Sequence, residues 1–434
     1  MTSPSGLIGT LRLRLESRPG LTALIALHCA VTCLSLIKVA SYQAYIFYSA
    51  DSVGIAAAVA LAFSLLSLLF VVARFSFGYL AGFYLTTMVL GFLWIDSFTR
   101  YNYDHAAAGV SAALALVMLL IPALFIRSPL RQWLVLSDAN FERLLNLLLV
   151  LSAATIAVAA TYNFRLVGIG RIYDYRSALE FPGAVRYLMG MTSSTLLPFV
   201  FACCWMRFYR WRAAACLVLL LLFYPITLTK FAIFTPVWLI ALAVLARLFE
   251  ARTSAVLSLF VPMTLGLIVI AVTNAPLESM LGRYFDIVNI RMIATASSAL
   301  DIYNDFFADH PSTWFCHISF LNAATHCPYQ VPLSVVMDNT YGFGNLNASL
   351  LATEGVAAVG LYFAPLTALA AGLILALGNG ASAGLPSRFV LVSAGVLPQV
   401  LLNVPLTVAL LTHGTMLLFL LWYVMPRSYL ERKP

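Results

Sequence analysis

Twelve apolar runs, most of roughly 17–25 residues, follow one another along the chain, and a helix of that length spans about 30 Å of hydrocarbon. They occupy 21–48, 52–73, 77–95, 106–126, 144–162, 187–206, 213–229, 231–247, 254–274, 354–378, 388–403 and 406–425. Hydrophobic residues are 62% of the 434 and charged residues only 10%, which excludes an ordinary soluble domain. The fold class expected is all-α, a polytopic membrane protein of about 12 transmembrane helices. Two close pairs, 213–229/231–247 and 388–403/406–425, are short and divided by Pro225, Lys230 and Pro236 or by Asn403 and Pro405. Each pair is either two spans or a set of broken helices packed inside the bundle. The basic start of the chain leads into a run too long for a signal h-region, so no cleavable signal peptide is expected.

Positive charge sets the orientation. With the N-terminus inside, inner segments hold 16 of the 25 Lys and Arg residues, from Arg12, Arg14 and Arg18 to Arg427, Arg432 and Lys433. Eight fall outside: Arg100, Arg165, Arg171, Arg176, Arg186, Lys230, Arg283 and Arg291. Lys38 lies within the first span. The net charge of +8 therefore reports topology and contact with an anionic inner leaflet, not nucleic acid.

The outer segment 163–186 is unusual, because Arg165, Arg171, Arg176 and Arg186 face only Asp174 and Glu180. Arginine offers a planar fork of donors suited to phosphate or carboxylate. The competing reading is headgroup anchoring with local pairs such as Arg171–Asp174. Lys230, at the turn of a short apolar hairpin, is either a further phosphate contact or an interfacial anchor.

The one large loop, 275–353, is too long to be a simple connector. Its first half spaces apolar residues as an amphipathic helix lying along the membrane surface, interrupted around Ala294–Ser298. On an α-helix Arg283 and Arg291 lie within about 80° of each other and point towards one ligand, while Asp301 and Asp305 share a face. His310, His317 and His326 follow, without the pairing or cysteine spacing of a zinc site, so no metal is expected. A histidine among arginines and carboxylates is a candidate proton carrier. Cys316 and Cys327 are the two cysteines outside the spans, and either form a disulfide or stay free thiols. Gly342, Gly344, Asn345 and Asn347 form a tight turn before Glu354, which either complements a helix dipole or faces a cavity.

The runs YNDFFADHPSTWFCHISF, CPYQVP and GFGNLNASLLATEGVAAVGL resemble the large-loop region of bacterial oligosaccharide repeat-unit polymerases, the Wzy-type O-antigen and capsule enzymes. YDYRSALEFPGAVRYLMG and TLTKFAIFTPVW are similar to their middle portion, and the resemblance covers roughly residues 160–365. One departure is plain: the Arg-x10-Gly pattern of some members is not matched, since Arg171 to Gly183 is one residue longer. The resemblance implies a glycosyltransferase of the inner membrane, working at its periplasmic face without nucleotide, metal or other cofactor. Such an enzyme moves a glycan from undecaprenyl pyrophosphate onto the next lipid-linked repeat unit. Its partners would be that lipid-linked oligosaccharide, membrane lipids, a chain-length regulator and a flippase. In this reading Arg165, Arg171, Arg176, Arg283 and Arg291, with Lys230, meet pyrophosphate and glycan. His317 or Glu354 is the base, His310, Asp301 and Asp305 orient the site, and Asn345 and Asn347 contact substrate. An O-antigen ligase shares this topology and chemistry. A lipid-oligosaccharide flippase or transporter would instead require internal repeats and charges at mid-membrane.

Both termini and residues 128–140 are expected inside. Topology reporters fused there should read cytoplasm, and reporters at 170–182 or 310–330 should read periplasm. A reversed result at either outer loop would reduce its arginines to ordinary positive-inside charges.

Overall fold

The computed structural model describes residues 9, 12–176, 179–318, 321, 327–344 and 346–430, and these are helix and loop throughout. Ten helices are long and apolar enough to cross a membrane. Nine come first: α1 Arg18–Val39, α2 Ala50–Val72, α3 Phe77–Asp96, α4 His105–Phe125, α5 Asp138–Tyr162, α6 Gly183–Met206, α7 Arg210–Thr227, α8 Lys230–Leu248 and α9 Ala251–Thr273. After α10 (residues 280–309) and α11 (Leu333–Tyr341) comes the tenth, α12 Leu351–Ser382. The chain is an all-α polytopic membrane protein. Its core helix is α3, apolar on every side and buried from Phe77 to Ile95, as a helix without a polar face must be.

The last two apolar runs take the second of the two forms expected for them, broken helices. They are cut into four short helices, α13 Ser387–Ser393, α14 Leu397–Leu401, α15 Leu406–Leu411 and α16 Thr415–Val424. Pro386 and Pro405 start two of them, and Gly414 in the left-handed region (φ 77°) starts the last. Helices of spanning length therefore number ten, not about twelve, among the described residues. The peptide groups freed by these breaks find partners inside the protein, as a low-dielectric surrounding demands. Trp238 Nε1 donates to the Gly395 carbonyl (2.9 Å), and the Thr195 hydroxyl to that of His413 (2.8 Å).

The loops after α3, α5 and α9 gather at one end of the bundle, where the Asn102 N–H reaches Asp305 (2.8 Å) and Lys38 reaches Asn274 (3.4 Å). At this loop-rich end α10 corrects the expected surface helix. From Val288 to Asn304 every residue except Arg291 is buried. Asn289 donates to Ser35 and to the Met263 carbonyl, both at 2.9 Å, so α10 is wedged between α1 and α9. Within the small residues 294–299, which suggested an interruption, Ser297 meets α3, its hydroxyl donating to the Met88 carbonyl at 2.9 Å. A Cβ on Gly91 would lie 2.3 Å from Ser297 Oγ, the kind of close approach that small residues permit between helices in a bilayer.

Beyond α10, Cys316 and Cys327 are joined by a disulfide. The same loop is tied to α12 just before its break at Gly360 (φ 75°). There the Thr313 and Trp314 N–H groups donate to the carbonyls of Ala357 (2.8 Å) and Ala358 (3.1 Å).

Candidate functional site

A cavity of about 330 Å³ opens where the start of α8, the middle of α10 and the broken C-terminal helices meet. Arg176, Lys230 and Arg291 all line it, as does Asn347. The local reason Arg291 turns inward is a change of helix type. Asp286–Ala294 is π-helical, and i→i+5 bonding brings residues five apart close together. Asp286 thereby lies near Arg291 (Nε to Oδ1, 3.9 Å) while its other oxygen accepts from Lys230 Nζ at 2.8 Å. One carboxylate thus positions two cations from different helices. Three cations against that single carboxylate leave the site with two net positive charges.

The sequence reading missed Asp286, because an α-helical period places residue 286 well away from 291. It also missed the polar groups Gln399, Asn403 and His413 that line the same cavity. A glutamine inside an apolar run was the available signal. His413 is held by Ser194 (Oγ to Nδ1, 3.0 Å). Ser194 belongs to a second π-helical stretch, Thr192–Leu196.

His317 and Glu354 come together beside this cavity rather than in its lining. Glu354 lies in a third π-helical stretch, Leu351–Ala357, and its carboxylate caps α15. It accepts from the N–H groups of Leu406 and Thr407 and from the Thr407 hydroxyl, each at 3.1 Å, and from the Thr353 hydroxyl at 2.8 Å. Both oxygens are fully engaged, which makes Glu354 a positioning group. His317 is half-buried; burial lowers its pKa, and the neighbouring Glu354 pulls it back up. Its Nδ1 lies 3.5 Å from the Thr313 hydroxyl, and its Nε2 has no hydrogen-bond partner among the described residues. A neutral imidazole is competent to take a proton, and this Nε2 is enclosed by protein.

The other expected site residues fall elsewhere. Arg283 packs beside Gly170, within 3.0 Å of where a Cβ would stand, and is not among the residues that line the cavity with Arg291. Arg165 and Arg171 lie over the Tyr175 ring (5.7 and 5.8 Å), and Arg171 also faces Asp174 at 3.6 Å. His310 stacks on Phe306 (3.9 Å) and bonds its carbonyl (2.7 Å), so it finishes a helix. Asp301 and Asp305 do share a face, but that face meets the α3–α4 loop. The Tyr103 hydroxyl donates to both Asp96 and Asp301, and the Tyr341 hydroxyl donates to Asp305 (2.5 Å). Burial, the largest cause, pushes the Asp301 carboxyl up to about 7. Asn345 and His326 lie outside the described residues. Among the described residues, no cluster of three His, Cys, Asp or Glu could hold a metal ion.

A second concavity of about 340 Å³ adjoins the first, between α6, α7 and α8. Its walls are mainly apolar, with Leu179, Phe181, Met189, Leu220 and Phe223 among them, and Arg186 joins Arg176 in its lining. Arg176, Thr229 and Phe231 line both spaces, so a cationic chamber and an apolar groove share a wall. No family model, curated protein or solved structure matches the chain.

The capping role of Glu354 carries a stability consequence. Glu354→Ala leaves two N–H groups of α15 without an acceptor and should cost about 2–3 kcal/mol. Glu354→Gln keeps one acceptor oxygen and should cost about half as much. Unfolding of the purified variants in detergent measures both; equal stability to the parent protein would contradict the cap.

Proposed function

We propose that the chain transfers a glycan from a polyprenyl pyrophosphate carrier to the hydroxyl of a second lipid-linked glycan, polymerising repeat units at the periplasmic face of a bacterial inner membrane. The observation that carries this reading is the shared wall. A cavity with two net positive charges adjoins an apolar groove through Arg176, Thr229 and Phe231. That pairing suits an amphiphile with an anionic head and a long apolar tail. A glycosyl polyprenyl pyrophosphate carries two negative charges on its bridging phosphates, matching the cavity's net charge.

The chemistry follows from charge. The acceptor's sugar hydroxyl attacks the anomeric carbon of the donor, the new glycosidic bond forms, and the bond to pyrophosphate breaks. Negative charge grows on the departing oxygen, where Arg176, Lys230 and Arg291 stabilise it more in the transition state than in the ground state. Asn347, Asn403 and His413 supply neutral hydrogen-bond donors to the same phosphates. The hydroxyl proton passes to His317, whose pKa burial lowers and the nearby Glu354 carboxylate raises. The arginines of 163–176 outside the cavity then meet the glycan.

The test is reconstitution of the full-length protein with one lipid-linked repeat unit. Chain growth is expected; transfer only to a lipid A core would make the protein a ligase, and no transfer of either kind would end the proposal. Arg291→Lys keeps the charge but loses the fork, and activity should fall at least about tenfold, with Arg291→Ala roughly a hundredfold or more below the parent. His317→Ala should be comparably inactive. Arg100→Lys, at an outer arginine stacked on Phe47, should stay near the parent rate. Normal polymer from both Arg291→Lys and His317→Ala would place the chemistry elsewhere.

A further inference from the structure

The opposite end of the bundle holds a larger concavity, about 680 Å³, that takes no part in the site above. Four arginines from four separate segments line it: Arg18 at the start of α1, Arg74 between α2 and α3, Arg252 at the start of α9 and Arg388 at the start of α13. Glu250 is the one carboxylate in its lining, and it is already taken by Arg252 at 2.8–2.9 Å. Arg252 is further fixed on the Val71 carbonyl (3.4 Å). Arg18, Arg74 and Arg388 make no ion pair with any carboxylate among the described residues. Arg127 stands near enough to Arg74 for their like charges to interact, and its Nε is buried without a hydrogen-bond partner among the described residues.

Arginines that serve only topology gain by spreading out, because like charges brought together repel. Here they converge on one hollow whose lining holds a single carboxylate, Glu250, with Glu16 behind it accepting from the Glu250 N–H and paired with Arg12. The hollow is also not purely polar: Val71, Val72 and Phe75 line it, and Val72 is 72% exposed on the flank of the bundle. An anionic group seated among the arginines could therefore continue into apolar chains running down that flank. We propose that this basin binds the headgroup of an anionic lipid carrying two phosphates, met by the guanidinium groups of Arg18, Arg74 and Arg388. Forked donors recognise phosphate oxygens two at a time, and basic pockets between helices at a membrane surface have the geometry for such headgroups. The site is separate from the glycan-transfer chamber, and its occupancy does not depend on that reading.

Native mass spectrometry of the full-length protein in detergent tests it, with cardiolipin, phosphatidylglycerol and phosphatidylcholine added in turn. Cardiolipin should bind at least about tenfold more tightly than phosphatidylcholine. The double variant Arg74→Gln/Arg388→Gln, at two exposed positions, should lose that preference by a similar factor. Arg143→Gln, an exposed charge outside the basin, should bind as the parent does. Inorganic pyrophosphate should fail to displace cardiolipin at equal concentration. Undiminished cardiolipin binding by the double variant, or equal affinity for all three lipids, would overturn the proposal. Displacement by pyrophosphate would also overturn it, since the ligand would then be a free phosphate compound and not a lipid.

Discussion

A peptide group in hydrocarbon has no water to turn to, and that requirement decides where this bundle can depart from regular helix. Its departures are concentrated. The three π-helical stretches Thr192–Leu196, Asp286–Ala294 and Leu351–Ala357, together with the breaks at Pro405 and Gly414, all border one cavity or the His317–Glu354 pair beside it. Several of these irregularities are answered by side chains or backbone groups of another segment. Glu354 caps α15, Thr195 holds the His413 carbonyl, and Thr313 and Trp314 pair with carbonyls of α12. The same bonds that make broken backbone tolerable also fix the polar groups around the cavity.

Electrostatics builds on that frame. Asp286 holds Lys230 and Arg291 near each other where two bare cations would repel. A carboxylate bridging two cations lowers their mutual cost in the empty site and still leaves net positive charge for an incoming anion. In the proposed reaction, the charge that develops on the leaving phosphate is met by groups that need not move, which is what electrostatic preorganisation requires.

Much of this was legible in the sequence, for identifiable reasons. Span length is a property of each run alone, so the first ten apolar runs matched helices α1 to α9 and α12. Arg176, Lys230 and Arg291 stood out as cations in outer segments and Asn347 as part of the turn before the tenth span, and all four meet in one cavity. What failed was phase. Reading residues 280–309 as a regular α-helix set Asp286 apart from Arg291 and laid the helix on the surface. The π stretch rotates Arg291 towards Asp286, and Ser297, within the Ala/Ser/Thr run at 294–299, meets α3. The role of Glu354 depended on α15, about fifty positions later in the chain, and no local pattern carries that information.

The most direct measurement is an experimental density map of the protein in lipid nanodiscs loaded with undecaprenyl pyrophosphate. The account predicts diphosphate density between Arg176, Lys230 and Arg291, with the prenyl chain leaving along Phe181, Met189 and Phe223 between α6, α7 and α8. Diphosphate density on the far side of the bundle, or in the Tyr103–Asp301 region instead of the cavity, would contradict it.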